Sequence, residues 1–241
     1  MKTTFFFALF AVCLTSAAQH SLDEKMYHAY LQRNSAEWIS MADQAKKEYN
    51  QSPTDANRKF KAAFAHFSLL SSTMATKDED LFDKYLDATK DLLKELIDKN
   101  QHTAEAKALL SATYGLQMGY SPMKGILLGG KSSKLADEAK TEAPLSPITW
   151  RVYGSSKYYT PASFGGDVNE AIAALEKSVK LFENKPEELK HNWLYLDTLV
   201  LLAQAYSRNN ENAKATSLYQ KALSIEPGFM YAKSLLSNMK S

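Results

Sequence analysis

LDTLVLLAQAYSRNNENAKATSLYQKALSIEPGF, residues 196–229, decides the fold. Its first half extends an apolar series that starts at Trp193 and runs Leu196, Leu199, Val200, Leu202, Ala203 and Tyr206. Steps of three and four place these side chains on one stripe of a helix. Asn209, Asn210 and Asn212 then supply a polar turn, and Pro227 with Gly228 ends a second helix. Ala203, Ala215 and Ala222 are small where the two helices must approach closely. Tyr206 and Tyr219 are large enough to fill the space beside a neighbouring pair.

The rest of the chain repeats this habit. Val and Ile together number only eleven, while Ala, Leu, Lys and Glu dominate. Stiff β-branched residues favour strands, whereas Ala and unbranched residues favour helices. Leu81, Phe82, Tyr85, Leu86, Leu92, Leu93, Leu96 and Ile97 form a second helical stripe. Asp78 stands ready to cap that helix. Asp167 and Glu170 have capping-box spacing before AIAALEKSVKLF. Pro161 predicts that the helix of RVYGSSKYYT stops near Tyr159 or Thr160. The expected class is all-α.

Residues 196–229 resemble a tetratricopeptide repeat (TPR). Leu202, Ala203 and Tyr206 match on the first helix, Ala215, Tyr219 and Ala222 on the second, and Pro227 closes the unit. Leu199 replaces the usual tryptophan. Asn210 replaces the usual turn glycine, and it tolerates a left-handed backbone better than most residues. Weaker copies lie upstream: TWRVYGSSKYY with AIAALEKSVKLF, AEAKALLSATYGLQ with SSKLADEAKTEA, residues 57–99, and a degenerate pair at 22–49. The resemblance implies an α-solenoid of four to five TPR-like hairpins over residues 19–241, with a last helix from Phe229 covering the open end. It also implies a protein or peptide partner in a concave groove. The first-helix positions that face such a groove are Asp197, Gln204, Ser207 and Arg208 here.

Residues 1–18 read as a cleaved signal peptide. Lys2 gives a positive start, Phe5 to Leu14 is a short apolar run, and Ser16, Ala17 and Ala18 suit a signal peptidase. That run is too short to span a bilayer, which takes ~20 residues. The expected location is periplasmic or extracellular, with a mature chain that does not span the membrane. Cys13, the single cysteine, lies inside the leader, so cysteine chemistry leaves with it.

GILLGGKS, from Gly125 to Ser132, fits the P-loop pattern letter for letter. A working P-loop needs a strand before it, and LLSATYGLQMGYSPMK is instead an amphipathic helix followed by Ser-Pro. The expected role is structural: Gly129 and Gly130 turn the chain, and Ser132 or Ser133 caps the next helix. Lys131 and Lys134 would then sit in a first helical turn beside free N–H groups, where an anion can bind.

Other chemistry finds little footing. The formal net charge is +2 and Lys alternates with acids, so no basic face marks a nucleic-acid binder. The five histidines lack zinc spacing, and DEDLFDKYLD lacks the EF-hand glycine. No nucleophile elbow occurs. No enzyme, cofactor or metal is expected. Two connections, residues 119–130 and 158–167, are long and aromatic, and regular stacking would put both on one edge. Tyr120, Met123, Tyr158 and Phe164 in them are candidates to line a pocket. The first expectation is therefore an extracytoplasmic scaffold or adaptor. The alternative is a periplasmic solute- or peptide-binding protein with its pocket under those two loops.

Overall fold

The computed structural model describes residues 22–239, and every regular element among them is helical. The expected leader, residues 1–18, lies outside the described residues. Helix α1 (residues 22–32) pairs with α2 (Ser35–Asn50). Helix α3 (Ala56–Thr76) pairs with α4 (Glu79–Asp98), and α5 (Thr103–Tyr120) with α6 (Gly125–Glu142). Helix α7 (Pro147–Tyr159) pairs with α8 (Val168–Glu183), and α9 (Trp193–Arg208) with α10 (Asn212–Ile225). Helix α11 (Met230–Asn238) follows and packs on α10. Five hairpins and a capping helix make an α-solenoid.

The starts are set locally. Asn34, Asp55, Asp78, Asp167 and Asn192 each accept backbone N–H groups that α2, α3, α4, α8 and α9 leave free. Each such cap is worth ~1 kcal/mol. At Asp167 only half of the box forms. Its side chain takes the N–H groups of Asn169 and Glu170, while Glu170 turns away to Tyr153 and Lys157. Asn210 adopts φ 62, the left-handed conformation expected where the turn glycine is missing.

Packing follows the alanines. Ala203, Ala215 and Ala222 are fully buried in the α9–α10 seam, and Tyr206 and Tyr219 are buried beside them. The Tyr206 hydroxyl donates to Glu176 of α8, which ties this unit to the one before it.

Helix α6 departs from the expectation. Gly129 and Gly130 do not turn the chain; they lie inside α6, which begins at Gly125. Pro122 opens a short 3-10 turn, Pro122–Lys124, and the helix follows directly from it. Ser132 is not a cap but a packing residue. Its hydroxyl donates to the Ser111 carbonyl at 2.9 Å, and Ser111 donates back to the Ser132 carbonyl at 2.7 Å. Burial of Ser132, Ala136 and Ala139 against α5 outweighs the poor helix propensity of the glycines. Lys131 and Lys134 are thus beyond the first turn, away from its free N–H groups.

The coil also closes on itself. Trp193, the first residue of α9, meets Tyr30 of α1 at 5.4 Å, Trp38 of α2 at 5.6 Å and Phe64 of α3 at 5.9 Å between ring centroids. Tyr30 also meets Phe229 at 5.5 Å, and the Tyr27 hydroxyl donates to Glu226 at 3.3 Å. The first hairpin therefore packs against the last unit as well as its sequence neighbour.

Candidate binding surfaces

Asp197 is half-buried, and its oxygens are engaged. Arg151 of α7 donates to one, and the Tyr30 hydroxyl donates to the other at 3.0 Å. Burial, then the Asp197 charge, pushes the Tyr30 hydroxyl well above the usual tyrosine range. The Nε of Arg151 is buried and lacks a hydrogen-bond partner among the described residues. Further along α9, Gln204 donates to the Tyr231 hydroxyl at 3.1 Å. Arg208 is exposed, donates to the Tyr158 carbonyl at 2.8 Å and lies over the Tyr158 ring at 5.3 Å. Ser207 is half-buried beside it. Only four of the 29 basic residues are arginines. Three of those, Arg33, Arg151 and Arg208, reach tyrosines or their partner acid where α1, α7, α9 and α11 converge.

The two long connections leave the ends of α5 and α7, helices that pack on each other, and are together termed the edge. The Tyr120 hydroxyl donates to Thr73 at 2.9 Å, which joins the ends of α5 and α3. Arg208 joins the ends of α9 and α7, and α7 packs on α5. On this edge Met123 is 82% exposed, Ile126 88%, Leu127 73% and Phe164 81%, whereas Tyr159, though exposed along its ring, brings its hydroxyl near Asp197 and Arg151, where burial pushes it up. Large apolar side chains held this open to solvent are common on interaction surfaces.

The edge is stiff. Phe164 sits on a 3-10 turn, Ala162–Phe164, held by Phe164 N–H to the Pro161 carbonyl and Gly165 N–H to the Ala162 carbonyl. Gly166 lies so close to the Thr160 carbonyl that a Cβ there would come within 1.8 Å of its oxygen. The backbone thus needs glycine to present Phe164 outward.

The sequence candidates therefore separate. Asp197, Gln204, Ser207 and Arg208 follow one another along α9, with Tyr158 beside Arg208, and Met123 and Phe164 stand exposed on the two connections. Tyr120 instead packs at 4.7 Å on Phe82 and is half-buried, with its hydroxyl pushed up by burial. Lys131 lines a shallow cleft of about 370 Å³ with Lys94, Lys134, Asp98 and Glu138, where Lys134 pairs with Glu138. Ile126, Leu127, Tyr159, Arg151, Tyr30 and Tyr231 were missed. The scarcity of arginine was a signal for Arg151; the rest depended on which helix face turned outward. Among the described residues no three His, Cys, Asp or Glu side chains group to hold a metal. None of the described helices is long and apolar enough to cross a membrane.

Comparison with known proteins agrees with this geometry. The tetratricopeptide-repeat model matches residues 196–229. The HusA haemophore from Porphyromonas gingivalis superposes with a TM-score of 0.62 at 17% identity, covering 78% of this chain and 93% of that one. A thermophilic TPR protein of Thermus thermophilus superposes with a TM-score of 0.59 at 15% identity, covering 90% and 98%. At such identities the likeness is one of fold. No curated protein matches the sequence.

Proposed function

We propose that this chain, a helical-repeat protein with a tetratricopeptide repeat at residues 196–229, is an extracytoplasmic, non-catalytic adaptor for a protein partner. The observation that carries the reading is the open exposure of Met123, Ile126, Leu127 and Phe164 on the two connections. Arg208 and Ser207 at the end of α9 supply polar contacts. Asp197 acts from within, as the acid that fixes Arg151 and Tyr30. Aromatic anchors ringed by polar groups are how a few side chains come to dominate an interface.

A photo-crosslinking residue at Ile126 or Phe164, expressed in the native envelope, should trap one discrete adduct. The same group at Lys177 on α8 should trap none. Equal labelling at both places, or none at the edge, overturns the reading. The mass of the recovered chain tests the location: an N-terminus at Gln19 is expected. A second reading is that the same edge takes a flat apolar molecule such as haem, prompted by the haemophore that shares this fold. Met123 and Tyr159 belong to residue types that ligate haem iron. Haem titration decides it: a saturable Soret shift lost in a Tyr159→Phe, Met123→Leu double variant supports it, and no shift removes it.

A further inference from the structure

The cleft of about 370 Å³ beside Lys131 has acids, Asp98 and Glu138, among its lysines, but a second one, of about 670 Å³, has none. It opens at the seam where α1 meets α11. Leu31 and Met230 give it apolar walls, and Met230 is 66% exposed. Its polar lining comes from His28, Gln32, Arg33 and Ser234, with no acidic side chain. Arg33 has no carboxylate partner among the described residues; its guanidinium lies over the Tyr231 ring at 4.2 Å. Tyr231 is itself fixed by the Gln204 hydrogen bond. The carboxylate of Glu226 nearby is occupied, by the Gly228 N–H at 3.0 Å and the Tyr27 hydroxyl.

A guanidinium laid on an aromatic face keeps its in-plane N–H fork free, and that fork matches a carboxylate bidentately. Arg33 is exposed in the turn between α1 and α2, at φ 52, the left-handed conformation that Lys77, His191 and Asn210 take beside other helix ends.

We propose that the α1–α11 cleft binds an organic carboxylate with an apolar body, the carboxylate on Arg33 and the body along Leu31 and Met230. The carboxylate belongs either to a free amphiphilic acid or to the C-terminus of a peptide. The site is separate from the edge of the adaptor reading and stands without it.

Calorimetric titration of the protein with decanoate below its micellar concentration, and with a short peptide ending in free Leu, tests it. One-to-one saturation by at least one of them is expected. Saturation by decanoate alone assigns the free acid, and by the peptide alone the chain terminus. Decanol and the C-terminally amidated peptide should bind at least tenfold more weakly. Arg33→Gln should weaken binding at least tenfold. Met230→Glu, at an exposed position that leaves the fold intact, should do the same by placing a like charge at the mouth. Phe164→Ser should change nothing. No saturation by either acid, undiminished binding to the Arg33→Gln and Met230→Glu proteins, or loss on Phe164→Ser overturns the proposal.

Discussion

At the scale of single residues, His66 carries a clear pH consequence. It is buried on α3 with both ring nitrogens unpaired, and burial, then the Lys46 charge, lowers its pKa to about 4. The unfolded chain takes up this proton below about pH 6.5, while the folded chain refuses it until about pH 4. His66 therefore costs no stability above pH 6.5 and up to about 3 kcal/mol as pH falls to 4. Thermal unfolding followed from pH 7 to pH 4 should fall less steeply for His66→Phe than for the parent. The Arg151–Asp197 pair behaves differently. Asp197→Ala strands a guanidinium that is only 10% exposed, and should cost about 2–3 kcal/mol in urea unfolding. The double variant Arg151→Met, Asp197→Leu should cost less than the sum of the single changes.

At the scale of elements, α6 and α8 show what a sequence can and cannot say. Asp167 announced the start of α8 because a cap is a contact between neighbours in the chain, and the N–H groups of Asn169 and Glu170 are its partners. Asn210 was legible for the same reason. The start of α6 was not, because GILLGG carries poor local helix signals. What makes it helical is Ser132 meeting Ser111, 21 residues away. Gly129 and Gly130 have open space where a Cβ would go. Alanine at both should stabilise the protein by roughly 0.5–1 kcal/mol each, read as a raised unfolding midpoint. Gly166→Ala should do the reverse, because a Cβ would collide with the Thr160 carbonyl.

At the scale of the molecule, most helical-repeat arrays hold each unit only by its neighbours, so stability adds along the stack. Here Tyr30 and Trp193 meet across more than 160 positions, as does the Tyr30–Asp197 hydrogen bond, with a separation of 167 residues. No local pattern could announce such pairs; the hairpins were visible from spacing, and their closure was not. Removing residues 19–33 should lower the unfolding midpoint by on the order of 10 °C. It should speed amide exchange in residues 196–229 as much as in α2. Loosening confined to α2 would mean the contact between the ends carries little energy. An open helical array has the give of a spring, lengthening by small adjustments at every joint. Aromatic rings that clasp its two ends remove that give. Stretched from its termini, this protein should resist, then release in one abrupt event, where an unclasped array would yield link by link.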